Sequence, residues 1–438
     1  MTNKITEFID TRKHGKFHTQ LVFLGIFLIT FTGYGATAYG SIIPMLFGEW
    51  KNLNSDVLGY IGSLSEFGSL FGALFFSSFT KKYGIKRVLI TATMVFCLAT
   101  FGQALAPSIT VLAVLRTIAG FGFGGVIPLV ISLLSEYSPK TNKAQAVASA
   151  LCGNQYGAII ASFVAIYVTA QLQWRPVFWM ALIPVFFLPY IIKNLPESSL
   201  YMMKTNDVAG LKAVLSKIDP GFASEIDVEA ELAEADLSED VHKVSYKKLF
   251  TKEYAIVTIL SSIIAIMGLL FINGVIIWLP SLMVEAGYEL GSSLAFTIFL
   301  CGGTVAGAMF WARVADKKGF TILLPTIYIL GSLSLMLMGI KSNIIILYIF
   351  VTLVGFFLFA AHSLVNAFIA QHYPDSLRTT AVGLPNSLGR IGGLLGPTLG
   401  GLLMANNVSV LGWFMVFAGM GLVAGISFII INLHNKKA

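Results

Sequence analysis

Charge is scarce in this chain: Lys, Arg, Asp and Glu together make up 12% of its 438 residues, while 56% are hydrophobic. So little polar surface cannot cover a globule of this size, which excludes a soluble protein, and the mean hydropathy of +0.80 agrees. Cysteine is nearly absent. Cys97, Cys152 and Cys301 have no paired spacing, which excludes a disulfide framework and a thiolate metal site and leaves them as small packing residues. No Cys/His cluster, phosphate-cradling glycine loop or Ser/His/Asp arrangement occurs, so nothing warrants an enzyme, a cofactor or an ATP-driven pump. A cleavable signal peptide is not expected either, because the polar residues 1–19 lead into an apolar run too long for one.

What is present is a series of apolar runs near 20–46, 57–79, 88–106, 109–134, 144–170, 176–194, 254–281, 291–313, 321–340, 343–370, 379–405 and 408–433. Each is about the 20 residues a helix needs to cross the hydrocarbon core. An all-α integral membrane protein with twelve transmembrane helices is predicted, as two six-helix repeats over 1–194 and 253–438 joined by a cytoplasmic linker at 195–252.

The repeat is written in the sequence. Gly72-Ala-Leu-Phe-Phe-Ser-Ser-Phe-Thr-Lys-Lys-Tyr-Gly84 recurs 235 positions later as Gly307-Ala-Met-Phe-Trp-Ala-Arg-Val-Ala-Asp-Lys-Lys-Gly319. The same offset pairs Gly68 with Gly303, Gly120-Phe121 with Gly355-Phe356, Pro139 with Pro374, Lys143 with Arg378 and Gly157 with Gly392. Duplicated halves of like orientation are the construction of secondary transporters.

Lys and Arg set the orientation, because short cytoplasmic loops carry the positive excess. One side holds Lys4, Arg12, Lys13, Lys16, Lys81, Lys82, Lys86, Arg87, Lys140, Lys143, Arg313, Lys317, Lys318, Arg378, Lys436 and Lys437; the other holds Lys51, Arg175 and Lys341. Both termini are therefore expected in the cytoplasm, with the chain a multi-pass protein of the plasma membrane. This bias accounts for the net charge of +7 without nucleic acid as a partner. In the linker, seven lysines between Lys204 and Lys252 flank an acidic block that includes Glu225, Asp227, Glu229, Glu231, Asp236, Glu239 and Asp240. One or two weakly packed surface helices are expected there, as a solvated tether or a regulatory segment.

Two stretches resemble the major facilitator superfamily: the duplicated basic loop, and Arg116-Thr-Ile-Ala-Gly120-Phe-Gly122-Phe-Gly124-Gly125, which is similar to its fourth-helix arginine and glycine pattern. Phe8-Ile9-Asp10, Ser135-Glu136-Tyr137-Ser138-Pro139, Leu195-Pro196-Glu197-Ser198, Trp278-Leu279-Pro280, Tyr373-Pro374-Asp375-Ser376-Leu377-Arg378 and Gly389-Arg390-Ile391-Gly392 resemble the aromatic acid:proton symporter family. The resemblance implies the major facilitator fold and import of an aromatic carboxylate with protons. The chain departs from the family twice: Thr32-Gly33-Tyr34-Gly35 stands where the family carries an Asp-Gly-Tyr-Asp type motif, and Lys81 replaces the acid that the second loop keeps as Asp316.

Ionisable groups at membrane depth are costly and so mark function. Arg390 is the candidate for the substrate carboxylate, since a guanidinium fork pairs bidentately with it; a structural ion pair with Glu66 or a helix end is the alternative. Its counterpart in the first half is Gln155. Glu66, the one carboxylate in the middle of a span, is the candidate proton carrier, unless it is held charged by Arg116 or Arg390 or is hydrogen-bonded as a neutral acid. His362 and Arg116 are further candidates for coupling, each with a packing or pairing role as the alternative. Tyr34, Asn154, Gln155, Asn273, Trp278 and Asn366 offer the ring faces and amides that an aromatic acid would need. Lys82, Gly84, Arg87, Glu136, Lys143, Asp316, Gly319 and Arg378 form a candidate gating set on the lysine-rich side, or serve only as topology signals.

The leading expectation is a monomeric secondary transporter that carries an organic anion with protons by alternating access. An efflux antiporter, an uncoupled facilitator and a non-transporting sensor remain as alternatives. Substrate identity, direction and coupling ion are left open by the missing first-span acids.

Overall fold

The structure, a computed structural model, describes residues 4–50, 53–221, 226–234 and 246–435. Lys51, Glu225, Asp236, Glu239, Asp240, Lys243, Lys436 and Lys437 lie outside them. The described residues form helices and no strand: α1 (Lys4–Thr11), α2 (Lys16–Glu49), α3 (Ser55–Tyr83), α4 (Ile85–Gln103), α5 (Ile109–Tyr137), α6 (Lys143–Leu172), α7 (Ile183–Phe186), α8 (Leu188–Asn194), α9 (Ser199–Lys204), α10 (Val208–Ile218), α11 (Val228–Glu234), α12 (Ala255–Glu285), α13 (Leu290–Lys318), α14 (Leu323–Leu337), α15 (Ile344–Val354), α16 (Ala360–His372), α17 (Asp375–Ala405) and α18 (Val410–Asn435). A 3₁₀ stretch, Arg175–Leu182, precedes α7, and a π-helical turn, Gly355–Phe359, joins α15 to α16. Among the described residues, eleven helical segments are long and apolar enough to cross a membrane, and Leu323–Leu337 is a shorter apolar helix at the place of the ninth expected span.

The chain divides into two compact units, Met1–Gly35 with Phe67–Gly157 and Phe178–Val241, and Ala36–Glu66 with Ala158–Val177 and His242–Ala438. The division between these units passes through α2, α3 and α6.

In the first unit, Leu21, Leu24 and Leu28 of α2, Val88 and Leu89 of α4 and Leu129, Val130 and Leu133 of α5 make one buried cluster. Glycine lets these helices touch: a methyl at Gly122 would meet the backbone of α4 at Ala92 and Phe96, and one at Gly124 that of α3 at Ser69.

The described residues of the linker correct one expectation, since they are not weakly packed. Met202, Met203, Leu211, Leu215, Ile226 and Val228 join the first unit's core together with Ile5, Phe8 and Ile9 of α1. Ion pairs Lys4–Glu231 at 2.6 Å and Arg12–Asp219 at 3.2 Å tie α1 to this segment. The acidic pattern concealed an apolar face, and burial of that face outweighs surface pairs worth about 1 kcal/mol or less each.

In the second unit, α15 and α16 continue through the π turn, which a Trp supports. Trp311 Nε1 donates to the Phe356 carbonyl at 2.9 Å, occupying an acceptor in the stretch where regular α-helical pairing is broken. Its counterpart 235 positions earlier is Phe76, which has no donor, and α5 runs there as uninterrupted α-helix. Trp311→Phe is therefore expected to cost about 1 kcal/mol, read as a lower thermal unfolding midpoint in detergent. An unchanged midpoint would remove the bond as the support of the turn.

Candidate functional site

The candidate residues fall into two groups, one in each unit. In the first unit α2 and α6 cross at glycines: a methyl at Gly153 would stand 2.6 Å from the Ile26 carbonyl, and Gly33 and Gly157 abut the backbones of Asn154 and of Thr30 and Tyr34. Tyr34 is buried in this crossing, and Asn154 presents its backbone to it. Gln155, half-buried on α6, has a buried Oε1 with no hydrogen-bond partner among the described residues. Arg116 on α5 is 2% exposed.

The missing first-span acids have a steric counterpart. A Cβ at Gly35 would stand 2.8 Å from the Phe96 ring, so no carboxylate fits there without displacing that ring. Thr32 is buried and bonds the Ile29 carbonyl at 2.7 Å.

In the second unit the candidates converge on Gly393 of α17, one turn from Arg390. A methyl at Gly393 would stand 2.8 Å from Asn273 Nδ2 on α12 and 3.5 Å from Glu66 Oε2 on α3. The amide and the carboxylate therefore flank a backbone that only glycine leaves open. Pro397, four residues on, has no N–H to give the Gly393 carbonyl, which loses its intrahelical donor. Arg390 and Glu66 are both half-buried. A cation, a carboxylate, an amide and a helical carbonyl on neighbouring turns can hold an anion and a proton together.

The remaining members are placed differently. Trp278 is fully buried and its Nε1 donates to the Pro397 carbonyl at 2.8 Å, so its donor is spent on packing. His362 lies against Gly268, with Nδ1 3.4 Å from the Tyr328 hydroxyl. Asn366 is exposed on α16.

One cluster escaped sequence reading. Ser63, one turn before Glu66, has Oγ 2.5 Å from the Leu394 carbonyl and 2.7 Å from Thr398 Oγ1. A serine hydroxyl has one proton to give, so it donates to Leu394 and accepts from Thr398. Around it Gly59 abuts the Pro397 carbonyl, Gly62 the Pro397 ring and Gly40 the backbone of Ile277. This seam of small residues lies toward the lysine-poor ends of α2, α3, α12 and α17. Serines and threonines in spans are common, and no spacing announces their cross-helix partners.

The candidate gating residues centre on two unequal loops. Gly84 and Gly319 end α3 and α13 with positive φ, 82° and 73°, and their N–H groups cap Thr80 and Ala315 at 2.9 and 2.8 Å. This conformation favours glycine. Beside Gly84 sits the carboxylate of Glu197, whose Oε1 accepts from the N–H groups of Lys86 and Ser198 at 3.0 and 2.9 Å; beside Gly319 there is open space. Glu136 accepts from Ser198 Oγ, Ser199 Oγ and Leu200 N–H at 3.0, 2.6 and 2.9 Å, holding the start of α9. Lys82, Arg87 and Asp316 are exposed, Lys143 opens α6, and Arg378 Nε donates to the Ala370 carbonyl at 2.9 Å. Between α16 and α17 the Tyr373 hydroxyl lies 2.8 Å from Thr258 Oγ1, and burial pushes its phenol above the ordinary range, keeping it neutral.

Gly84→Ala must therefore bear backbone strain and a clash with Glu197, whereas Gly319→Ala bears strain alone. Both are expected to lower the unfolding midpoint, the first by the larger amount, with strain alone costing on the order of 1 kcal/mol. Equal shifts would remove Glu197 from the first loop.

The Major Facilitator Superfamily model matches residues 23–397 and, again, 263–437. The chain belongs to this superfamily. Among its relatives, the "Benzoate transport protein" of Acinetobacter baylyi is 30% identical over 438 residues, covering 99% of this chain and 93% of the relative. The "Gentisate transporter" of Corynebacterium glutamicum is 30% identical, covering 93% and 86% of the two chains. In three dimensions this major facilitator protein resembles the inward-open xylose transporter XylE of E. coli, with a TM-score of 0.75 at 15% identity over 94% of this chain and 95% of that one. It is a multi-pass membrane transporter of a small organic substrate, not an enzyme.

Proposed function

We propose that this transporter imports an aromatic carboxylate across the plasma membrane together with protons, working as a monomer by alternating access between two six-helix bundles. The arrangement that carries the reading is Asn273 of α12 and Glu66 of α3 beside Gly393, one turn along α17 from Arg390. Arg390 holds the substrate carboxylate, Asn273 orients it, and Glu66 takes the proton that the absent first-span acids cannot. Relatives named for benzoate and gentisate support the substrate class. With both termini in the cytoplasm, the Ser63 seam faces outward and must part for the substrate to enter, while the Gly84 and Gly319 loops act on the inner side.

The test is uptake of radiolabelled benzoate and hydroxybenzoates into vesicles under an imposed pH gradient. Accumulation that collapses with a protonophore supports the proposal. Accumulation indifferent to the gradient overturns symport, and no uptake of any aromatic acid overturns the substrate class.

A further inference from the structure

The first unit carries a groove apart from the Arg390 and Glu66 site, bordered by Arg87 of the candidate gating set. It lies between α3 and α4, about 360 Å³ in volume, lined by Phe75, Phe76, Phe79, Tyr83, Arg87, Val88 and Thr91. Phe75, Phe79 and Tyr83 stand at successive i, i+4 positions, with ring centroids 4.6 Å apart for the first pair and 5.9 Å, nearly parallel, for the second. Phe75 and Tyr83 are 46% and 42% exposed, so this is an open ladder of rings rather than core. It runs about 12 Å along α3 at 1.5 Å per residue.

The groove is polar at one end only. Arg87, exposed on the first turn of α4, lies where both spans finish, and it pairs with no carboxylate among the described residues. No acidic residue lines the groove. Lys82 adds a second cation, its ammonium 5.1 Å over the Tyr83 ring. Glu197, the carboxylate at the start of α4, is engaged by the N–H groups of Lys86 and Ser198. A cation at the membrane boundary joined to an apolar trough that descends into the span has the polarity of a lipid, with the charge reversed at its head.

We infer that this groove is a binding site for an anionic glycerophospholipid, with its phosphate on the Arg87 guanidinium and an acyl chain along Phe75, Phe79 and Tyr83. A guanidinium fork matches phosphate oxygens bidentately, and basic pockets at the membrane boundary select anionic headgroups. The aromatic ladder takes an extended chain without demanding sequence-like specificity. Neither the substrate nor the direction of transport enters into this site.

Native mass spectrometry of the full chain, released from micelles containing equal phosphatidylglycerol and phosphatidylcholine, tests it. The protein is expected to keep phosphatidylglycerol preferentially, and Arg87→Gln to reduce that preference about fivefold. Phe79→Ala is expected to weaken retention of both lipids alike, while thermal midpoints confirm that each variant remains folded. An undiminished preference in Arg87→Gln would overturn the assignment. So would displacement of the lipid by glycerol phosphate, which would make the site one for a free anion, or by benzoate, which would make it a substrate site.

Discussion

Arg390→Ala is expected to abolish saturable uptake, and Arg390→Lys to retain a residue of it at much weaker affinity. The loss for alanine is expected at about 2–4 kcal/mol, a factor of roughly 30 to 1,000 in apparent affinity, because a carboxylate would enter a low-dielectric site without its counter-ion. Lysine keeps the charge but gives up the planar fork. Both variants should reach the membrane in normal amount, since Arg390 is half-buried and stands beside, not in, the glycine crossing of α17 with α12 at Gly389 and Gly392. Radiolabelled uptake, normalised to protein in the membrane, decides the point. Unchanged affinity in Arg390→Lys would remove this residue from the carboxylate and leave the anion without an assigned partner.

The second large effect concerns energy coupling. Glu66→Gln keeps the shape and hydrogen-bonding capacity of the side chain and removes only its titration. Accumulation against a concentration gradient is expected to fall to equilibration, while exchange of labelled for unlabelled substrate persists, because exchange needs no net proton movement. The two assays separate coupling from binding. Equal accumulation in the variant and the parent would dismiss Glu66, and loss of exchange along with accumulation would move it from coupling to substrate binding. Gly393 offers an independent approach to the same geometry, since a methyl there would press on Asn273 Nδ2 at 2.8 Å and leave the Arg390 side chain intact.

Much of this architecture was legible in the residues themselves. The apolar runs gave the spans, the offset of 235 the duplication, and the rarity of charge at depth drew attention to Arg390 and Glu66. The approach of Asn273 and Glu66 to Gly393, one turn from Arg390, was not legible, because it depends on how α3, α12 and α17 are rotated against one another, which sequence spacing within one helix does not contain. Ser63 and Thr398 were invisible for a related reason: hydroxyls in spans usually bond back to their own helix, and Ser63 Oγ also lies 3.2 Å from the Gly59 carbonyl. The linker misled through composition. Its alternating acids suggested a solvated tether, while Met202, Met203, Leu211 and Leu215 supplied the face that docks. Glu197 belonged to a recognisable motif, but nothing in the motif said that it would lie against Gly84.

That last contact bears on how the two halves have drifted since they were copies. The second loop keeps its acid within the repeating segment, at Asp316; the first has exchanged it for Lys81 and has a carboxylate beside it from Glu197, in the stretch of chain that follows α8. The residue 235 positions after Glu197 is Asn432, whose amide holds the Thr321 carbonyl and brings no charge. The carboxylate beside the first loop therefore comes from outside the repeating segment. The first loop cannot move without disturbing the segment that carries α9, whereas Gly319 has open space beside it, so the two copies of one loop end their helices under unequal constraint.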